Sequence, residues 1–182
     1  MRKVLLFAFI LCSLYLNAQT EHLRFMGIEI NGTIASFQEK LLSKGVSVSP
    51  MTKNYPNGMR AYSGTFSGEK ADIVVWYNPR SKQVYRAKAM ITRYGKDRIE
   101  QLMGDMERKL NLKYGTTDKY SETIKDDHLH EFEQHSYTID NGTIDLFITS
   151  SSYSSHADFV LHVDYKDKTN YVLNTMDEMD DL

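Results

Sequence analysis

The order of helix-like and strand-like segments is the feature that most constrains the fold of this chain. A helix with Ile34, Phe37 and Leu41 on one stripe precedes three alternating strand segments, and a second helix after Arg93 precedes three more. The strand segments are MRAYSGTF, ADIVVWYN, QVYRAKAMIT, LHEFEQHSYTI, TIDLFIT and ADFVLHVDY. This order predicts an α+β fold of two α-β-β-β units, with two helices packed on one face of an antiparallel sheet. Either a duplication or chance order in an α+β chain explains the repetition.

The tetrapeptide NGTI occurs twice, and its two contexts predict different roles. In the first copy, Thr33 is a good N-cap for the first helix. The second copy lies between two alternating runs, and Asn141-Gly142 predicts the centre of a type I′ hairpin turn, which needs positive φ at both central residues. That turn would place Tyr137 opposite Leu146.

The second helix is predicted from a continuous apolar stripe that ends at Gly115, a residue suited to stopping a helix. The stripe consists of Ile99, Leu102, Met103, Met106, Leu110 and Tyr114.

The first residues have the pattern of a secretory signal peptide. Arg2 and Lys3 precede an apolar run from Val4 to Leu16, and Ala18 offers a small residue for cleavage. The run is shorter than the roughly 20 apolar residues of a membrane span. We therefore expect residues 1–19 to be removed, with no integral membrane span left.

Cleavage there would leave a single α+β domain over 20–182, with an acidic C-terminal tail from about residue 172. The lone cysteine, Cys12, falls in the removed segment, so a periplasmic or secreted mature chain would contain no disulfide. Loss of Arg2 and Lys3 leaves 20 of the 22 Lys and Arg residues against 24 Asp and Glu, a net charge of −4. Nucleic acid is therefore not an expected partner.

Several segments together carry a family resemblance. FMGIEINGTIASFQEKLLSKG, YSGTFSGEKADIVV, VYRAKAMI, a helix that ends LKYG, and the terminal DDL resemble a family of small secreted or periplasmic proteins of unknown function from gut Gram-negative bacteria. The helix-plus-strands pattern is also similar to β-lactamase-inhibitor-like and PepSY-like modules. The family resemblance implies an exported α+β domain and brings no catalytic residues with it. The similarity to the two kinds of module is at the level of the fold and carries no function.

Strand alternation sorts the side chains between two faces of the predicted sheet. Ile144, Leu146 and Ile148 mark the core face, and Tyr85 is expected to point inward with Ala87. The face without helices is expected to hold the candidate binding residues Trp76, Arg86, Lys88, His130, Phe132, Phe147 and His162. Aromatic and arginine side chains on a sheet face are typical of recognition surfaces. The alternative is that a loop, the C-terminal segment or a dimer partner simply covers this face.

The histidine-rich segment KDDHLHEFEQH is the main candidate for metal binding. His128 and His130 share a strand face, but a specific site needs three or four convergent ligands. His135 points to the core face and is expected to be a satisfied, half-buried residue. We therefore predict no metal and no cofactor.

Enzyme signatures are missing from the sequence, which contains no Gly-x-Ser-x-Gly, His-Glu-x-x-His, P-loop or Rossmann motif. No catalytic residue is predicted. The sequence indicates an exported, non-enzymatic binding or interaction module that uses the aromatic sheet face, with an unknown protein or an anionic glycan as its partner. The alternative is an exported hydrolase whose site the sequence does not reveal. The acidic end, with Asp177, Glu178, Asp180 and Asp181 within the last six residues, indicates either a solvated terminus or a docking segment.

Overall fold

The computed structural model describes residues 21–115, 119–125, 131–151 and 158–179. These residues form three α-helices and ten strands, with a 3₁₀ turn at Pro50–Asn54. The helices are α1 (Ile34–Leu42), α2 (Lys96–Tyr114) and α3 (Lys168–Met179). The strands are β1 (Arg24–Phe25), β2 (Ile28–Glu29), β3 (Ser47–Val48), β4 (Met59–Phe66), β5 (Glu69–Tyr77), β6 (Val84–Tyr94), β7 (Lys119–Lys125), β8 (Glu131–Ile139), β9 (Gly142–Ser151) and β10 (Asp158–Asp167).

Eight of the strands form one antiparallel sheet in the order β3-β4-β5-β6-β10-β9-β8-β7, and β1 and β2 form a separate small ribbon. Each half of the chain supplies a helix followed by a meander, and the last strands of the two meanders pair in the centre, with Val163 opposite Ala89. The predicted α+β class and its two units are confirmed. Each unit has one strand more than the sequence indicated, because β3 and β7 extend the sheet at its edges.

The two predicted helices pack on the same face of the sheet. The apolar stripe of α1 and that of α2 join one buried cluster with the inward residues of the strands. The helix residues fully or largely buried there are Ile34, Phe37, Leu41, Ile99, Met103, Met106 and Leu110. Burying these stripes against the sheet removes apolar surface from water at about 25 cal/mol per Å², which is the main source of stability in a domain without disulfides. We call the opposite side of the sheet the outer face.

The first NGTI segment has its predicted role. Thr33 is the N-cap of α1, and its hydroxyl accepts a hydrogen bond from the backbone N–H of Ser36 at 3.3 Å. Gly32 has φ of +74°, a conformation that residues with a side chain adopt at a cost.

The second NGTI segment turns a hairpin as expected, but the predicted turn type and register are wrong. The two turn residues are Asp140 and Asn141, neither has positive φ, and Gly142 already belongs to β9, opposite Ile139. Tyr137 therefore faces Ile144 rather than Leu146. Because the shift is two residues, every side chain keeps its predicted face.

A β-bulge changes the placement of Tyr85. The register shifts between Trp76 and Tyr77, so that Trp76 pairs with Arg86 while Tyr77 pairs with Val84. Tyr85 is the extra residue. The prediction that it points into the core is wrong, because the bulge breaks the alternation. Its ring instead meets Tyr171 of α3 edge-on, with 5.9 Å between ring centres.

The chain from about residue 172, assigned from the sequence to an acidic tail, is helical up to Met179. Buried Asp167 precedes α3 and accepts hydrogen bonds from the backbone N–H groups of Asn170 and Leu23, both at 2.9 Å. These bonds tie the start of α3 to the start of the described chain. Across the described residues, no helix is long and apolar enough to cross a membrane.

Candidate functional site

Four neighbouring strands bring most of the predicted binding residues together. Trp76 lies on β5 opposite Arg86 of β6, and Phe147 of β9 lies opposite His162 of β10. The central β6–β10 pairing sets Lys88 opposite Asp164. Sequence reasoning assigned these side chains to one face, and only the strand order made them neighbours. We call the set Trp76, Arg86, Lys88, Phe147, His162 and Asp164 the outer patch.

Two cations contact the aromatic rings of the outer patch. The guanidinium carbon of Arg86 lies 4.3 Å from the centre of the Trp76 ring. The Lys88 ammonium lies 5.3 Å from the Trp76 ring and 5.7 Å from the Phe147 ring. Lys88 therefore bridges the two aromatic residues. Each such contact contributes about 0.5–1 kcal/mol or more, depending on how far the cation is removed from water.

A buried carboxylate holds both cations in place. The side chain of Asp164 is 2% exposed and accepts hydrogen bonds from Nε of Arg86 at 2.9 and 3.1 Å and from Nη2 of the same residue. The Lys88 ammonium is 3.9 Å away. The two-pronged geometry fixes the guanidinium plane against Trp76, which lowers the entropy that Arg86 would lose on binding.

Burial and charge act on the two cations in different proportions. Burial lowers the pKa of Arg86, but its hydrogen bond to Asp164 and the charge of that carboxylate outweigh burial and raise the pKa overall. The pKa of Lys88 is lowered, mainly by burial and further by the charges of Arg86 and Lys166, which together exceed the attraction of Asp164. Arg86 therefore makes the stronger pair with Asp164.

His162 is a neutral, packed member of the outer patch. Its ring stacks on Phe147 with 4.4 Å between centres and 8° between planes, and its Nε2 lies 2.8 Å from the hydroxyl of Thr149. Burial, assisted by the charge of Lys88, lowers the pKa of His162 to about 4. Its Nδ1 is buried and has no hydrogen-bond partner among the described residues.

A second buried carboxylate extends this network toward β8. Asp145 of β9 accepts hydrogen bonds from the Ser136 hydroxyl and the Lys166 ammonium, both at 2.7 Å. Sequence reasoning did not assign Asp145 or Lys166 to the site. Alternation placed Asp145 on this face together with Phe147, and the same alternation with Asp164 extends to Lys166.

The other two predicted binding residues are not part of the outer patch as described. Phe132 is on β8, where its backbone position is opposite Ile124 of β7, at the far edge of the sheet. His130 lies outside the described residues, as does His128 of the histidine-rich segment. On the core face, His135 contacts Glu107 of α2 through Nδ1, and its Nε2 is 3.1 Å from Glu133, so the prediction of a satisfied, half-buried residue is confirmed.

A separate cleft of about 620 Å³ lies near the β8–β9 turn, away from the outer patch. Its lining comprises Glu21, Lys113, Tyr114, Ile139, Asp140, Asn141, Lys168 and Thr169. No histidine or cysteine contributes to this lining. Within the described ranges, no group of three or more His, Cys, Asp or Glu residues could hold a metal ion.

Comparisons with known proteins do not assign a family to this chain. No protein-family model matches the sequence, and neither the curated proteins nor the solved structures give a match.

Proposed function

We propose that this protein is an exported, non-enzymatic binding module that captures a protein partner with an acidic surface through the outer patch. The observation that carries the proposal is the continuous cluster in which Trp76, Lys88 and Phe147 are linked by cation–π contacts on the face opposite α1 and α2. Tryptophan and arginine dominate the binding energy of protein interfaces, and here both are preorganised.

The exposed charge of the outer patch and of neighbouring Lys166 is positive, although the network contains carboxylates. The side chains of Arg86, Lys88 and Lys166 are 24%, 15% and 29% exposed. Those of Asp164 and Asp145 are only 2% and 5% exposed and are occupied by their partners. Solvent and any incoming molecule therefore meet the cations, which favours an acidic partner.

The shape of the face favours a macromolecule over a small ligand. Small-molecule sites are concave and enclose most of their ligand, whereas the outer patch spreads over four neighbouring strands. The ordered cations and stacked rings give such a surface anchors that lose little conformational entropy on binding. A protein surface can cover all of these anchors at once.

The single tryptophan makes the test specific, since Trp76 is the only one in the chain. Exported proteins of the source organism would be cross-linked to the wild-type protein, to Trp76→Ala and to Leu112→Ala. Captured partners would then be titrated against all three proteins by calorimetry, because Trp76→Ala lacks the only tryptophan fluorophore. Leu112 is 88% exposed on α2 and serves as the matched control. We expect Trp76→Ala to weaken capture about 30-fold, equivalent to about 2 kcal/mol, with the thermal midpoint nearly unchanged.

Three outcomes would contradict the proposal. Capture by Trp76→Ala at wild-type strength would show that the outer patch is not the docking face. Unfolding of Trp76→Ala would show that Trp76 belongs to the core. Competition by a sulfated polysaccharide, with no acidic protein captured, would assign the face to an anionic glycan.

A further inference from the structure

The ammonium of Lys88 lacks the hydrogen bonds that a largely buried charge normally makes. It carries three N–H donors, but the closest carboxylate oxygen among the described residues, on Asp164, is 3.9 Å away, beyond hydrogen-bonding distance. Its other partners in the described part of the chain are the rings of Trp76 and Phe147. Burial is the main cause that lowers the pKa of Lys88, so the charge has lost water without gaining an equivalent acceptor.

Arg86 is in the opposite situation. Its Nε and Nη2 both donate to Asp164, and its guanidinium carbon lies 4.3 Å from the centre of the Trp76 ring. The edge of the guanidinium that pairs best with a carboxylate is therefore occupied by a carboxylate of the protein itself. A partner that brings its own carboxylate to the outer patch would have to break this pair to use the same edge of Arg86.

The charges of this network leave one cation without a carboxylate of its own. Arg86 is hydrogen-bonded to Asp164, and Lys166 is hydrogen-bonded to Asp145. Lys88 is the third cation and has only the distant contact with Asp164. The surplus is a single positive charge, which one carboxylate balances. A phosphate or sulfate carries more acceptor oxygens and is normally held by several cations or by a free arginine fork.

We propose that Lys88 binds one carboxylate of the partner, from an aspartate or glutamate side chain, and that Arg86 is a positioning residue that orients Trp76. This inference rests on the proposed function, because it assigns the acidic group of the partner to one cation of the outer patch. The Lys88 side chain is 15% exposed, and lysines keep their charged end toward water. The methylene groups of the bound side chain would contact the rings of Trp76 and Phe147.

Two peptides of equal length would test the carboxylate site directly. Trp76 is the only tryptophan of the chain, so its fluorescence reports on binding beside Lys88. At constant ionic strength, end-blocked hexaglutamate should change the Trp76 emission with a dissociation constant on the order of 1 mM, whereas end-blocked hexaglutamine should not. Lys88→Met should raise that constant at least about tenfold. The matched control Lys109→Met, on α2 and on the other side of the sheet, should leave it unchanged.

Arg86→Lys separates positioning from binding, because it keeps the charge and loses the fork. It should shift the Trp76 emission of the peptide-free protein and weaken hexaglutamate binding less than Lys88→Met does. Circular dichroism checks that each variant stays folded. A larger loss of affinity in Arg86→Lys than in Lys88→Met, or equal responses of the wild type to the two peptides, overturns the inference. A response to inorganic phosphate as strong as that to hexaglutamate also overturns it.

The captured partner protein distinguishes this inference from the proposed function. Weakened capture by both Trp76→Ala and Lys88→Met supports both. Weakened capture by Trp76→Ala, together with wild-type capture by Lys88→Met, would keep the outer patch as the docking face and refute the role of Lys88. Wild-type capture by both variants would refute the proposed function and this inference together.

Discussion

Gly142 is the position where the structure makes the sharpest prediction about stability. A Cβ added there would lie 2.2 Å from the backbone oxygen of Lys166 on β10 and 3.1 Å from a methyl of Leu23. Ordinary contacts of a Cβ begin near 3.4 Å. Because the obstructing atom is backbone, no side-chain rotation relieves the overlap. The start of β9 must move away from β10 instead.

The expected magnitude can be compared with two other glycines. Overpacking of this kind costs about 1–3 kcal/mol, and we expect Gly142→Ala to reach about 3 kcal/mol because two strands must separate. At Gly32 a Cβ meets nothing within 4 Å, but φ is +74°, so Gly32→Ala should cost only the 1–2 kcal/mol or so of the left-handed conformation. Gly104 lies inside α2 with open space around it, and Gly104→Ala should stabilise by about 0.5–1 kcal/mol.

Urea denaturation of the three variants, compared at an unchanged m-value, measures these differences as shifts of the midpoint. The expected order of stability is Gly104→Ala, wild type, Gly32→Ala, Gly142→Ala. Equal losses at Gly32 and Gly142 would refute the reasoning. They would mean that the two NGTI segments need glycine for the same reason, and that the close approach of β9 to β10 is not what requires Gly142.

The remaining predictions concern the charged groups of the outer patch. Asp164→Asn should lower the free energy of unfolding by about 3 kcal/mol, because it leaves Arg86 and Lys88 half-buried without their carboxylate. The control is Glu29→Gln in the exposed Arg24–Glu29 pair, which should cost less than about 1 kcal/mol. Chemical denaturation of both variants checks this, and similar losses would contradict the assigned burial of Asp164. The pKa of His162 is lowered from 6.5 to about 4 in the folded protein. Between pH 6.5 and pH 4 the unfolded chain therefore binds a proton at His162 and the folded chain does not. As a result, His162 makes the free energy of unfolding fall by roughly 2–3 kcal/mol as the pH drops from 6.5 to 4. His162→Gln should flatten that part of the stability–pH curve, and parallel curves for variant and wild type would show that His162 is accessible to protons in the folded state.

Local patterns were sufficient to predict the helices and their buried faces. The stripe of Ile99, Met103, Met106 and Leu110 repeats at helical spacing, and all four side chains are buried. The N-cap at Thr33 and the stop at Gly115 were predicted for the same reason, since capping depends on residues only a few positions apart. Alternation likewise assigned Trp76 and Phe147 to the face away from Ile73 and Leu146.

Local patterns did not predict the irregularities of the backbone. The bulge at Tyr85 and the shift at the Asp140–Asn141 turn each displace one strand relative to its neighbour. Both depend on the pairing partner across the sheet, which alternation along one strand does not contain. The edge strand β3 was missed because two residues, Ser47 and Val48, are too short to show a period.

The sequence by itself determined the α+β class, the two helices and, away from the bulge at Tyr85, the side of the sheet on which the residues of the predicted strands lie, because each of these follows from residues close together in the chain. Only the tertiary structure decided that β6 pairs with β10. That pairing joins residues about 75 positions apart, such as Lys88 and Asp164, and so creates the buried ion pair beneath Trp76. It also decided that α3 docks through its asparagines and leaves Val172 and Met176 exposed, since the groups that hold Asn170 and Asp177 come from the first half of the chain. In α3, long-range hydrogen bonds and charges outweighed the local amphipathic pattern. Such long-range contacts produce no periodic pattern in the sequence from which they could be predicted.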